Sequence, residues 1–178
     1  MKQALLVIDV QAGLFDGERQ PGDGTAVVER INALADRARA AGVPVIYVQH
    51  EREGSPLEYG APGWALAKGL TARPGDPRLR KTTPDTFHHT RLEPLLQEQD
   101  IRHLVICGYA SEFCVDTTTR RAAALGYTVT LAADAHTTHD KDHASAAQIR
   151  AHENATLPNL TSFGPVIRAV PGADIRFD

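Results

Sequence analysis

The sequence predicts an α/β protein: a three-layer α/β/α domain on a doubly wound, mostly parallel sheet of about six strands. Three observations carry that reading. Short, almost wholly apolar runs recur along the chain, as in Ala4-Leu5-Leu6-Val7-Ile8 and His103-Leu104-Val105-Ile106-Cys107. Strands that are apolar on both faces belong in a sheet covered on both sides. Segments with helical periodicity separate these runs, and alternating strands and helices imply parallel strands joined by crossovers. The 178 residues suffice for one domain, 1–178, with a sizeable core.

The first strand is the run 4–8, and it ends at Asp9. Gly13, Gly17, Pro21, Gly22 and Gly24 then mark a long turn. Val27, Ile31, Leu34, Ala38 and Ala41 share one helical face, and Gly42 caps that helix. The second strand is 43–48, with Pro44 tolerable at its start. Residues 50–77 are rich in proline and glycine and read as a surface excursion with a short helix at 64–69. A short third strand covers 79–82, and 83–90 is loop. Leu92, Leu95 and Leu96 mark a helix with Pro94 in its first turn. After the strand 103–107, Cys114, Thr118, Ala122 and Leu125 recur at helical spacing up to a cap at Gly126. A strand at 127–132 ends near Asp134, a helix covers 144–157 before Pro158, and a last strand covers 166–170.

Composition narrows the partners. The chain is 42% apolar and 23% charged with a net charge of −3, which gives no reason to expect nucleic acid or an anionic membrane surface. No apolar run approaches membrane-spanning length, and Met1-Lys2-Gln3 leads directly into a strand without a signal-peptide pattern. Cys107 lies inside an apolar run and reads as core. Cys107 and Cys114 do not form a disulfide framework, so a reducing cytoplasm is the expected location.

Three residues stand where such a fold gathers its ligands, at the carboxyl ends of strands. Asp9 follows the first strand, Lys81 ends the third, and Cys114 lies between the central strand and its helix. Each alone has an ordinary explanation: a turn cap, a solvated lysine, a small core thiol. Together a carboxylate, an ammonium and a thiol supply a base, an electrostatic organiser and a nucleophile. A thiol at a helix N-terminus is expected to favour the thiolate. Phe15, Trp64 and Phe87 follow strand ends, where they would stack on a flat substrate, and Gln11, Tyr59 and His88 would supply polar contacts. Packing under the long loop explains the aromatic residues equally well.

On these residues the chain resembles the isochorismatase-like cysteine hydrolases, a family that includes nicotinamidases and related amidases. The resemblance covers nearly the whole chain. It rests on Leu5-Leu6-Val7-Ile8-Asp9-Val10-Gln11, on the lysine segment from Lys81 through Phe87 to Thr90, on the nucleophile turn from Gly108 to Val115, and on Asp134-Ala135-His136. It implies that Cys114 attacks a carbonyl, that Asp9 takes the thiol proton, and that Lys81 holds Asp9 as a carboxylate. It also implies an oxyanion hole at the N–H groups of Ala110 and Cys114, a cis peptide at Tyr109-Ala110, and assembly into dimers or larger oligomers. The expected reaction is cleavage of a small-molecule amide or lactam C–N bond through a thioester, without cofactor. Two alternatives stay open: hydrolysis of an isochorismate-like enol ether led by Asp9, and a non-catalytic binding protein on the same fold.

The chain departs from the nicotinamidase pattern after the second strand. Those relatives carry an Asp-x-His metal pair there; here Val48 stands two residues before His50. The expectation is therefore no metal. His136, His139 and His143 form a separate cluster whose spacing would allow a metal, but the charged residues between 140 and 142 suggest a solvated loop.

Overall fold

The computed structural model describes residues 1–177. Six strands form one sheet: β1 (Gln3–Ile8), β2 (Val45–His50), β3 (Arg78–Lys81), β4 (His103–Tyr109), β5 (Thr128–Thr137) and β6 (Ile167–Val170). Their order is β3-β2-β1-β4-β5-β6, and every neighbouring pair is parallel. The chain winds outward one way from β1 through β2 and β3, then returns to β4 on the other side. The switch point lies between β1 and β4, where open α/β sheets hold their ligands.

Alternate strand residues point to opposite faces. On one face Leu5, Val7, Val45, Tyr47, Val105 and Cys107 pack against Val27, Ile31, Leu34, Ala35 and Ala38 of α2 (Gly24–Ala40). The one-turn helix α1 (Ala12–Phe15) adds Phe15 to that layer. On the other face Leu6, Ile8, Ile46, Val48, Leu104, Ile106 and Leu131 meet Leu92 and Leu96 of α3 (Leu92–Glu98) and Ala122 and Ala123 of α4 (Asp116–Ala124). Leu157, directly after α5 (Ala146–Thr156), completes this second core. The central strands are buried on both faces, which explains why they read as continuous apolar runs. Helices α2 and α4 end as their glycines predict. The N–H groups of Val43 and Tyr127 return to the carbonyls of Ala38 and Ala122, at 2.8 and 3.0 Å. Among the described residues no helix is long and apolar enough to cross a membrane.

Three elements differ from the expectation. The helix expected at 64–69 does not form: a 3-10 turn over Pro62–Trp64 ends there, and Leu66 then bridges to Gln11. The cause is the Trp64 carbonyl, which accepts the side-chain amides of Gln11 (3.0 Å) and Gln49 (2.9 Å) and so is not available to a helix. The helix expected through Cys114 begins only at Asp116, after a π-helical turn over Ser111–Val115. Strand β5 does not stop near Asp134 but runs to Thr137. An irregularity between Ile106 and Gly108 lets His136 and Thr137 pair with Gly108 and Tyr109. The polar residues there read as a strand end, yet each finds a partner within the fold: Asp134 pairs with Arg30 of α2, His136 with Asn154 of α5, and Thr137 donates to the Gly22 carbonyl.

Candidate active site

Asp9 leaves β1 with φ 51°, a left-handed conformation that Asp tolerates better than most residues. This bend turns its carboxylate into the switch point, where it is 1% exposed. Lys81 is the last residue of β3, paired in register with His50, and reaches under the sheet edge to Asp9. Cys114 comes from the π-helical turn, in which the N–H of Val115 closes on the Ala110 carbonyl at 3.1 Å.

The three side chains meet. Lys81 Nζ donates to Asp9 Oδ2 at 2.6 Å and to Cys114 Sγ at 3.2 Å. It also reaches the Thr83 carbonyl at 3.1 Å and His50 Nδ1 at 3.3 Å. An ammonium has three protons and no acceptor, so four acceptors share them and His50 Nδ1 can only accept. Burial and then the Lys81 charge push His50 down from its ordinary value, which keeps the ring neutral. For Lys81 burial acts downward, but the Asp9 carboxylate and Cys114 outweigh it and the ammonium is raised. Asp9 Oδ1 is buried with no hydrogen-bond partner, a free acceptor beside the thiol.

The thiol itself corrects an expectation. It is not a low-pKa group at a helix N-terminus, because α4 starts two residues later. Burial, with the Asp9 carboxylate adding to it, pushes Cys114 up to about 12; Lys81 acts the other way and does not compensate. At neutral pH the resting pair is therefore a thiol beside a carboxylate.

Gly108 makes the approach possible. It pairs with Ile8 at φ 118°, and a Cβ there would stand 2.1 Å from the Ile8 carbonyl oxygen. Gly108→Ala should thus push β4 from β1 at the point where Asp9 and the π-helical turn meet. The expected result is a loss of more than about 3 kcal/mol in denaturant unfolding. A variant as stable as the parent would show that the strands tolerate separation here. The peptide Tyr109-Ala110 is cis, as the resemblance implies. Ala110 lies directly before the π-helical turn, and its carbonyl is taken by the N–H groups of Phe113 and Val115.

The residues expected to touch substrate divide. Gln11 is fully buried: its amide N–H groups go to the carbonyls of His50 and Trp64, and its oxygen accepts the His50 N–H. Its hydrogen bonds hold the long loop to β2, so it has no free polar group for a ligand. Phe15 packs edge-on against Tyr109 in the α2 core, and Phe87 lies against Tyr127 in the opposite core. These two are packing residues, because each ring completes a helix–sheet contact. Tyr59 is exposed, sits edge-on to Trp64 and carries Arg80 over its ring at 3.7 Å. His88 is exposed beside His89.

Sequence reasoning passed over His50 as a neighbour of Lys81, and also over Phe113, which is exposed although apolar and adjacent to Cys114. An apolar residue directly before a candidate nucleophile was the available signal.

Metal-binding geometry is limited to one place among the described residues: ligand atoms of Asp9, His50 and Cys114 lie within 4.8 Å of one another. The Lys81 ammonium already bonds all three. Val48, where the nicotinamidase pattern has Asp, is buried in the apolar core. The residues present therefore do not fit a nicotinamidase-type metal. The other histidine cluster does not converge. His136 is buried in β5, and His139 bonds the Tyr109 hydroxyl and the Arg19 carbonyl.

Comparison with known proteins adds the following. A family model, the isochorismatase domain, matches residues 3–167. A streptothricin hydrolase of Streptomyces noursei is 39% identical over 141 residues, 78% of this chain and 50% of that protein. The chain thus spans about half the length of that relative. A ureidoacrylate amidohydrolase of Caulobacter vibrioides is 32% identical, over 74% of this chain and 75% of that protein. The crystal structure of an isochorismatase from Pseudomonas putida KT2440 superposes with a TM-score of 0.87 at 31% identity, over 98% of this chain and 90% of that one.

Proposed function

The chain belongs to the isochorismatase family, and from that premise we propose that it hydrolyses a small-molecule amide or lactam through a thioester on Cys114. The observation that carries this reading is the buried contact of Asp9, Lys81 and Cys114, with one Asp9 oxygen on Lys81 and the other unpartnered. The amide and lactam class is supported by the relatives named as streptothricin hydrolase and ureidoacrylate amidohydrolase.

A thiol raised to about 12 does not wait as a thiolate. Its proton passes to Asp9 as sulfur forms its bond to the carbonyl carbon, and Lys81 stabilises the charge on both partners. The carbonyl electron pair moves onto oxygen, where the N–H groups of Ala110 and Cys114 receive it. Collapse breaks the C–N bond, and protonated Asp9 gives its proton to the leaving nitrogen. Asp9, again a carboxylate, then takes a proton from water, whose oxygen attacks the thioester. The acid product leaves and the thiol is restored. No step needs a metal.

The test is release of amine or ammonia from a panel of small amides and lactams, with and without chelator. Turnover that ignores chelator and falls at least about 10³-fold in Cys114→Ala supports the thioester route. Cleavage of an isochorismate-like enol ether that survives in Cys114→Ala would replace it with a reaction led by Asp9.

A further inference from the structure

Behind the nucleophile turn lies a second polar chain that this mechanism does not use. Ser111 Oγ lies 2.8 Å from His136 Nδ1, His136 Nε2 lies 2.9 Å from Asn154 Oδ1, and Asn154 Nδ2 lies 2.8 Å from the Ala133 carbonyl. Ser111 and His136 are both 0% exposed. The chemistry fixes every proton. A carbonyl only accepts, so Asn154 donates to Ala133 and presents its own oxygen to His136. Nε2 must then carry the ring proton, which leaves Nδ1 as the acceptor of the Ser111 hydroxyl. Burial lowers His136 to about 4, in spite of its bond to Asn154, so the ring is neutral near pH 7.

Ser, His and Asn are the parts of a hydrolytic triad, but a serine with no exposure meets no substrate. What it does meet is the turn. Ser111 is the first residue of the π-helical segment, one peptide after Ala110 and three residues before Cys114. Its hydroxyl ties that backbone to His136 on β5, and Asn154 ties His136 to α5. A capping box of Ser145 and Gln148 closes the N-terminal end of that helix, and Asn154 projects from its last turn.

We propose that Ser111, His136 and Asn154 are positioning residues that hold the oxyanion-binding backbone between Ala110 and Cys114 in register with the thiol. This inference rests on the reading of Cys114 as the nucleophile that attacks a carbonyl. Losing the chain leaves the thiol in place and lets the turn relax, which weakens reactions that form an oxyanion and spares those that do not.

Two thiol reactions separate these effects without a known substrate. Butyraldehyde labelled with 13C at the carbonyl adds the thiol: the C–S bond forms as the C=O π pair moves onto oxygen at the backbone N–H groups, the thiol proton then passes to that oxygen, and the hemithioacetal is seen by NMR. Iodoacetamide alkylates sulfur by displacing iodide and forms no oxyanion. Ser111→Ala and Asn154→Leu are expected to weaken hemithioacetal formation about ten- to a hundredfold and to leave the alkylation rate within about twofold. Ser111→Thr, which keeps the hydroxyl, should restore most of it. In 15N spectra the His136 ring should be the neutral Nε2–H tautomer in the parent and lose that preference in Asn154→Leu.

Equal hemithioacetal formation in parent and variants would overturn the positioning role, as would an equal fall in both reactions, which marks a general loss of structure. A parent protein that is alkylated but forms no hemithioacetal would overturn the carbonyl-attack reading beneath it.

Discussion

Asp9→Asn is expected to slow turnover about 10²–10⁴-fold and to speed alkylation of Cys114. The opposite signs follow from the two roles of one carboxylate. On the proposed route Asp9 accepts the thiol proton, returns it to the leaving nitrogen and then deprotonates water, and an amide does none of these. In the resting protein, however, the Asp9 charge is one of the groups that hold Cys114 up to about 12, while Lys81 acts in the other direction. Asparagine removes the first and leaves the second, so the thiol falls. The parent should be alkylated by iodoacetamide at a rate that rises about tenfold per pH unit from neutrality upward, since the thiolate fraction does. In Asp9→Asn that profile should shift to lower pH and gain at least about tenfold at pH 8. A variant slower in both reactions would mean that the carboxylate creates the nucleophile rather than restraining it.

Lys81→Met should cost both stability and activity. Lys81 and Asp9 form a salt bridge at 2.6 Å with side chains 0% and 2% exposed. Taking one partner from a buried pair leaves an uncompensated charge, at about 3–5 kcal/mol. The stranded carboxylate relieves itself by taking up a proton, so the loss measured by denaturant unfolding should shrink in acid. A protonated Asp9 cannot accept from Cys114, so turnover should fall with it. The double variant Asp9→Asn with Lys81→Met should be more stable than Lys81→Met alone, because both charges are then gone. If Lys81→Met unfolds like the parent at pH 8, the pair contributes nothing net and Asp9 is stabilised by other groups.

The sheet was legible because its central strands are apolar on both faces, and a parallel arrangement between two helix layers leaves few other ways to bury such runs. Asp9, Lys81 and Cys114 were legible because each lies at or beyond the carboxyl end of a strand and the fold gathers strand ends. The substrate-contact residues were much less so. Gln11, Phe15 and Phe87 occupy positions next to the site in sequence, but their side chains turn into packing and loop hydrogen bonds. Residue type after a strand end says that a group is near the crevice, not which way it faces.

The sequence by itself determined the order of elements, the family pattern and the three groups that meet at the switch point, because periodicity and spacing are local properties of the chain. Only the tertiary structure decided how those groups behave. Whether Cys114 rests as thiol or thiolate depends on how deeply it is buried and on which charge lies nearer, and both arise from chain segments far apart in sequence. The same holds for His136. Its strand extends past the apolar run only because Gly108 and Tyr109 lie alongside, and its proton is fixed only because Ser111 and Asn154 come from two other elements. Burial and the sharing of protons are properties of packed neighbours, which no single stretch of sequence carries.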